Sequence, residues 1–478
     1  VEVVSPGTTI ADNYLDNNFN NYLCCAYNNG KTIGFSLLDH STGEFSSTEI
    51  YPNDFNNIVS RYNIAEILIL ESQEQIFKKY NSIQNIVMNF IPDWVNDYDY
   101  SNEILCNHFK VKNMKGFGFS KKSCSIISSG MIMHYIKDNF QDRINHINTL
   151  RSLSYQKIMQ LDYYTIRNLE LFNPLLSDNK KSTVIYALDK TVTASGSRLF
   201  KNWIARPLLD KTLINNRLNH VQDFFNNDNF IQDTRSLLKK TYDIERIIAK
   251  IASNKSNPID IINLSKSLKI LNDFKKIIPK KSSFIKKLFK NIINSKKIIS
   301  IIDDTLTENP PVNMNKGNFI KDGFSNELDD LRSISNDANE WMLNYQDKLR
   351  SETSISSLKI SFNKVFGYYI DVTKTHANKV PDYFIKKQTL VNNERFFTNE
   401  LKDFEDKILN ADYKINELEA TIFNDLCQVI INVSNDIQFN AYLMAKIDIF
   451  SSLAYLAINN KYIRPIINEK FSLKIKNG

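Results

Sequence analysis

The chain has 478 residues, 42% hydrophobic, 24% charged and 12% aromatic, with a formal net charge of +7. That much apolar material excludes a disordered, collagenous or disulfide-scaffold protein, and the length suits roughly three domains. The charge is uneven: residues 1–120 hold seven Lys/Arg against fourteen Asp/Glu, while residues 239–300 hold sixteen basic and four acidic residues.

The first 120 residues read as α/β. Asn21–Tyr27 and Thr32–Leu38 are β-rich runs joined by the turn signal Asn28-Asn29-Gly30. A third run follows near Phe45–Tyr51, then a short helix after Pro52, the strand Ala65–Leu70, another helix and the strand Asn85–Phe90. A hairpin meander followed by alternating helix and strand predicts a mixed sheet with flanking helices. From about residue 122 apolar residues recur every 3.6 positions, and Gly196 is the one glycine between Gly130 and Gly317, which predicts a large all-helical region.

Residues 324–458 carry the clearest periodicity. Leu328, Leu331, Ile334, Ala338, Trp341, Tyr345 and Leu349 step by three and four, as do Leu401, Phe404, Ile408, Ala411, Ile415, Leu418 and Ile422, with Leu426, Val429 and Val433 extending the stripe. The second helix is expected to run from Asn399 to Asn459, roughly 90 Å at 1.5 Å per residue. Between the helices, Ser357–Phe362, Val365–Thr373 and Tyr383–Val391 have strand character, with Asn363-Lys364 as a turn. A small β module on two long antiparallel helices is expected. An arm of that length suits holding something at a distance.

Other chemistry is sparse. Cys24, Cys25, Cys106, Cys124 and Cys427 form no CxxC, so neither a disulfide framework nor a zinc site is expected, and a reducing cytosol is the default. Cys24 and Cys25 share a strand and so point to opposite faces. The six histidines show no metal spacing. No stretch reaches the ~18–20 uninterrupted apolar residues of a membrane span, and no signal peptide opens the chain. It starts with Val, as a fragment would. Asp39 and Glu71 end predicted strands, where paired carboxylates of an RNase H-like nuclease could chelate two Mg²⁺. No G-x-x-x-x-G-K-[ST] loop exists to cradle phosphates, so no ATP hydrolysis by this chain is expected.

Several long motifs carry a resemblance. Asn363–Thr373, Lys379-Val-Pro381, Lys387–Arg395, Thr398–Lys402 and Glu405–Leu409 resemble the clamp of bacterial MutS, the DNA mismatch-recognition family. Leu161–Leu171, Leu188–Leu199 and Trp203–Leu208 resemble its core motifs; Ser5–Thr8 and Asp39–Phe45 resemble its connector. The resemblance implies a multidomain α+β chain: an α/β, RNase H-like connector over 1–120, an all-α core with lever helices over 121–355 and 399–478, and a β-rich clamp over 356–398 at their tip. It implies that a mismatch-reading domain with a Phe-x-Glu motif precedes this region and that an ATPase domain, with ATP and Mg²⁺, follows it. It also implies duplex DNA and a MutL-type protein as partners, a homodimer for the full-length protein with this region alone as a monomer, and a bacterial cytosol.

In the family the clamp grips DNA without reading sequence. The resemblance carries that role to Asn363, Lys364, Lys374, Lys386, Lys387, Gln388, Thr389, Asn392 and Arg395, the mixture of cations and amides that binds phosphate oxygens. Of the pair Tyr368-Tyr369, only one ring can face DNA, and core packing is the expected role. Two departures stand out: Ser354 occupies a position where the family usually has Gly, and Ser361 one where it often does. The other readings are a meiotic-type MutS paralogue, a coiled-coil scaffold and the Asp39/Glu71 nuclease. The bacterial-like wording of Lys387–Arg395 argues against the paralogue.

Overall fold

The computed structural model describes residues 5–119, 123–141, 143–153, 157–176, 179–279, 282–363, 367–470 and 472–476. The chain divides into two compact units, one formed by 1–256, 260–300 and 427–478 and the other by 257–259 and 301–426.

The first unit opens with a mixed six-stranded sheet in the order β5-β4-β1-β2-β3-β6. Its strands are β1 (Tyr22–Asn28), β2 (Ile33–Asp39), β3 (Glu44–Ile50), β4 (Ile64–Leu70), β5 (Val87–Ile91) and β6 (Leu150–Ser152). The meander β1-β2-β3 is antiparallel, while β4, β5 and β6 join in parallel. Both faces are covered, so β2 is buried at every position, the polar Ser36 and Asp39 included. Cys25 lies in the cluster beneath helix Cys124–Phe140, and Cys24 in the cluster on the opposite face, as strand alternation requires. All five cysteines are free.

Helices make up the rest of this unit. Helix Ser434–Asn459 passes through the helical core against helices Ala194–Ala205, Lys211–Phe225, Asp228–Leu238 and Ile244–Ala252. By length and composition alone it could cross a membrane, but 67% of its apolar window is buried inside the fold, which makes it a core helix. Its buried Asp448 accepts hydrogen bonds from Val192 N, Thr193 N and Thr193 Oγ1 at 2.6–3.1 Å, capping the turn before helix Ala194–Ala205. Burial outweighs these hydrogen bonds and pushes this carboxyl up to about 6. Gly196 allows the approach, since a Cβ there would lie 2.4 Å from Asp448 Oδ2. Nearby, Arg198 is 3% exposed and pairs with Asp243 (2.7 Å) and Glu245 (2.6 Å). Arg198 and Arg246 also donate to Asn17 O, Asn17 Oδ1 and Asp16 O in the loop before β1.

The expected single helix from Asn399 to Asn459 is two helices, Asn399–Asn432 and Ser434–Asn459, broken at Val433. The break follows Val429-Ile430-Ile431, β-branched residues that lower helix propensity, and the next helix begins at Ser434 with Val433 as an N-cap that offers no side-chain hydrogen bond. The apolar stripe also drifts. Leu426, Cys427 and Ile430 are buried while Val429 is exposed, as a 3.6-residue period requires of a straight helix. Ile334, assigned to the first stripe, is 48% exposed.

The nuclease pairing of Asp39 and Glu71 fails on register. Asp39 ends β2 beside the start of β1, whereas Glu71 follows the far end of β4, parallel to β1. Some seven residues of strand separate the two levels, roughly 23 Å. Asp39 is fully buried: Oδ1 accepts from Ser41 N (2.9 Å) and Ser41 Oγ (2.7 Å), and Oδ2 from Asn20 Nδ2 (2.8 Å). Its carboxylate shapes the β2–β3 turn and is saturated by protein donors. No cluster of three or more potential metal ligands occurs among the described residues. Asp39→Ala should therefore lower stability by about 3 kcal/mol in urea unfolding, because buried donors lose their acceptor. Glu71→Gln, at an exposed site, should change it by less than about 0.5 kcal/mol.

Candidate nucleic-acid interface

The second unit carries the tip. Helices Asn326–Thr353 and Asn399–Asn432 run antiparallel, as their partners show: Lys348 pairs with Glu400 (3.2 Å), Trp341 stacks on Phe404 (3.6 Å) and Arg332 pairs with Glu419 (2.5 Å). From Phe404 to Glu419 the seam extends roughly 22 Å. Glu419 is completely buried and also accepts from Asn318 N at 3.1 Å.

Four antiparallel strands connect the helices: β7 (Lys359–Asn363), β8 (Gly367–Thr373), β9 (Ile385–Thr389) and β10 (Asn393–Phe397), in the order β7-β8-β10-β9. Strand alternation splits the module into two faces. Ile370, Val372 and Phe396 point inward onto Tyr345, Leu349, Ile355, Leu358 and Leu401 of the helix ends and their junction. Cross-strand register places Lys359, Asp371, Arg395 and Gln388 in one row on the opposite face. Two further contacts lock the sheet down. Glu405 Oε1 accepts from Tyr368 N at 3.2 Å, beside Gly367 at φ +69°, where a Cβ would lie 1.8 Å from that oxygen. Thr398, 2% exposed, accepts from Leu401 N and shares a 2.7 Å hydrogen bond with Tyr345 Oη. The signal for Glu405 and Thr398 lay in the motifs that contain them; their pairing across the chain did not.

The candidate DNA residues spread over this module. Lys374, Thr389 and Asn392 are exposed and meet at one end of the sheet, where Lys374 N donates to Asn392 O at 3.1 Å. Lys386 and Lys387 lie exposed along the edge strand β9. Lys386 Nζ is 2.5 Å from Glu394 Oε1, so its charge is already matched. Lys387 sits at a bulge, skipped between the pairs Arg395–Gln388 and Phe396–Lys386, with Nζ 5.3 Å from the Phe397 ring centre. Arg395 lies over Tyr369 (4.2 Å) and donates to Gln388 Oε1 (2.9 Å), so both are half-buried on the polar face. Asn363 is half-buried at the opposite end of β7 from this cluster, and Lys364 falls outside the described residues. Tyr368 joins the inner cluster and Tyr369 lies under Arg395, which puts the two rings on opposite faces. The turn around Asn392 adds a strand, β10, beyond the three strand-like runs expected.

A family model for MutS domain II matches residues 21–148, and one for MutS domain III matches residues 164–454. The chain belongs to the MutS family. It is 38% identical to the DNA mismatch repair protein MutS of Flavobacterium psychrophilum and 36% identical to that of Flavobacterium johnsoniae, each alignment covering 100% of this chain and 55% of the relative. The protein of that name from Salinibacter ruber is 33% identical, with 53% of it covered. The chain spans about half the length of these MutS relatives.

Ser354 and Ser361 differ in consequence. Ser361 lies within β7 and has no unusual backbone angle. Ser354 caps helix Asn326–Thr353 in the left-handed region at φ +55°, ψ +30°, where a side chain costs about 1–2 kcal/mol and glycine does not. Glycine's extra freedom in the unfolded chain offsets part of that gain. Ser354→Gly should therefore stabilise the second unit by about 0.5–1 kcal/mol, read as a higher melting midpoint for that unit.

Proposed function

We propose that this chain supplies the non-specific duplex-DNA grip of a MutS-type mismatch repair protein. Residues 356–398 act as the clamp, 121–355 and 399–478 as core and levers, and 1–120 as the connector. The observation that carries the reading is the tip sheet, sealed on its apolar face by the helix pair and lined on its exposed side and end by Lys374, Lys387, Thr389 and Asn392. Cations with amides and hydroxyls hold phosphate oxygens and leave base edges unread. Family membership supports the same role. Stiff packed helices would turn a small rotation at their base into a larger displacement at the clamp. In the full-length protein the levers would be driven by ATP and Mg²⁺ bound in a separate ATPase domain. The chain itself would hydrolyse no ATP. A MutL-type partner for the connector, a homodimer of the full-length protein and a bacterial cytosolic setting complete the proposal.

A coiled-coil scaffold is the second reading, favoured by the long apolar seam, and it has no use for tip cations. The double variant Lys374→Glu/Lys387→Glu separates the two. For a clamp, duplex affinity in fluorescence anisotropy should fall at least about tenfold, and the slope of log K against log[salt] should flatten by about two units. A scaffold would show no change. Lys386→Gln should cost less than either reversal, since Glu394 already neutralises Lys386. Matched and mismatched duplexes should bind alike.

A further inference from the structure

Within the first unit, a cavity of about 500 Å³ opens between the β2–β3 turn, β6 and helices Ala194–Ala205, Lys211–Phe225 and Ser434–Asn459. Volumes of this order hold small-molecule ligands. Arg151, Arg198, Arg206 and Arg217 line it, against Glu44 and Glu245. Both carboxylates are engaged: Glu245 pairs with Arg198 at 2.6 Å, and Glu44 Oε2 accepts from Tyr22 Oη (3.1 Å) and Asn20 Nδ2 (3.2 Å). Arg198 is further neutralised by Asp243.

Arg151 and Arg217 make neither a side-chain hydrogen bond nor an ion pair among the described residues. Each instead lies over an aromatic ring: Arg217 Cζ is 3.6 Å from the Trp203 ring centre and Arg151 Cζ 5.6 Å from that of Tyr442. A guanidinium held over an indole keeps its edge N–H groups available, the fork that grips two phosphate oxygens at once. Burial and the neighbouring Arg206 hold the Arg217 guanidinium down to about 10, and the adjacent Lys446 ammonium is lowered by burial and by Arg217. Two guanidinia without a paired carboxylate in a partly enclosed site favour an incoming anion, even with Glu44, whose neutral hydrogen-bond donors leave its charge in place, in the same lining. The two guanidinia come from separate elements, β6 and helix Lys211–Phe225, and a ligand with two linked anionic groups offers one to each.

We propose that this cavity binds the diphosphate group of a small ligand, held between Arg151 and Arg217. That group could come from a nucleoside diphosphate or from inorganic pyrophosphate. The site is separate from the clamp, and its test needs no DNA.

The test is isothermal titration of the chain with inorganic pyrophosphate and, separately, with ADP, both in EDTA. One ligand per chain is expected, with a raised melting temperature. Arg151→Gln and Arg217→Gln break no ion pair, so both should fold, as their melts will show, and each should weaken binding about tenfold. Lys374→Glu/Lys387→Glu should leave it unchanged. ADP binding at least about tenfold tighter than pyrophosphate would assign the nucleotide as source; equal affinities would assign the bare diphosphate. The proposal is overturned by no binding at millimolar ligand, by affinity that survives both arginine substitutions, or by affinity lost only in the clamp variant.

Discussion

The tip depends on one act of burial. The inward face of its sheet has no stable position in water, and Ile370, Val372 and Phe396 find their cover on Tyr345, Leu349 and Leu401 of the two helices. Each such side chain contributes about 1.5–3 kcal/mol when fully buried. The helix pair is the second layer against which this single sheet buries its apolar face. Fixing the inner face also fixes the outer one, because a shift of one residue in register would exchange them. The polar row Lys359, Asp371, Arg395 and Gln388 thus faces outward as a consequence of apolar packing behind it.

The helix pair is held by different means along its length. Near the sheet, Trp341 stacks on Phe404. Farther along, an apolar contact gives way to a buried ion pair, Arg332 with Glu419, and Ile334 turns to solvent. Removing one partner of such a pair typically costs about 3–5 kcal/mol, while its net worth against apolar packing is small. Its value here lies in register: only one alignment of the two helices brings Arg332, Asn318 and Glu419 together.

Periodicity made the elements legible. The three-and-four stepping of Leu401 to Ile415 and the alternation in Ser357–Phe362 each follow from a geometric repeat that the sequence must satisfy. The meander of the first sheet was legible from Asn28-Asn29-Gly30 for the same reason. What escaped was set by long-range partners. Val433 interrupts a pattern that looks continuous, the chain turns at Asn392 into β10, a strand that the pattern did not separate, and Asp39 looked catalytic until register placed Glu71 at the other end of the sheet. At the candidate site, the residue types were legible but their states were not. Nothing in the sequence says that Lys386 is matched by Glu394 or that Arg395 covers Tyr369.

A clamp would hold duplex DNA against the exposed side of the tip sheet. A photo-crosslinking amino acid at Thr389, an exposed position beside Lys374 and Asn392, reads this contact, with one at Tyr51, 68% exposed just after β3, for comparison. Ultraviolet light should join labelled duplex to the chain from position 389 and leave it free from position 51. Equal crosslinking from both positions, or crosslinking from 51 alone, would contradict the clamp.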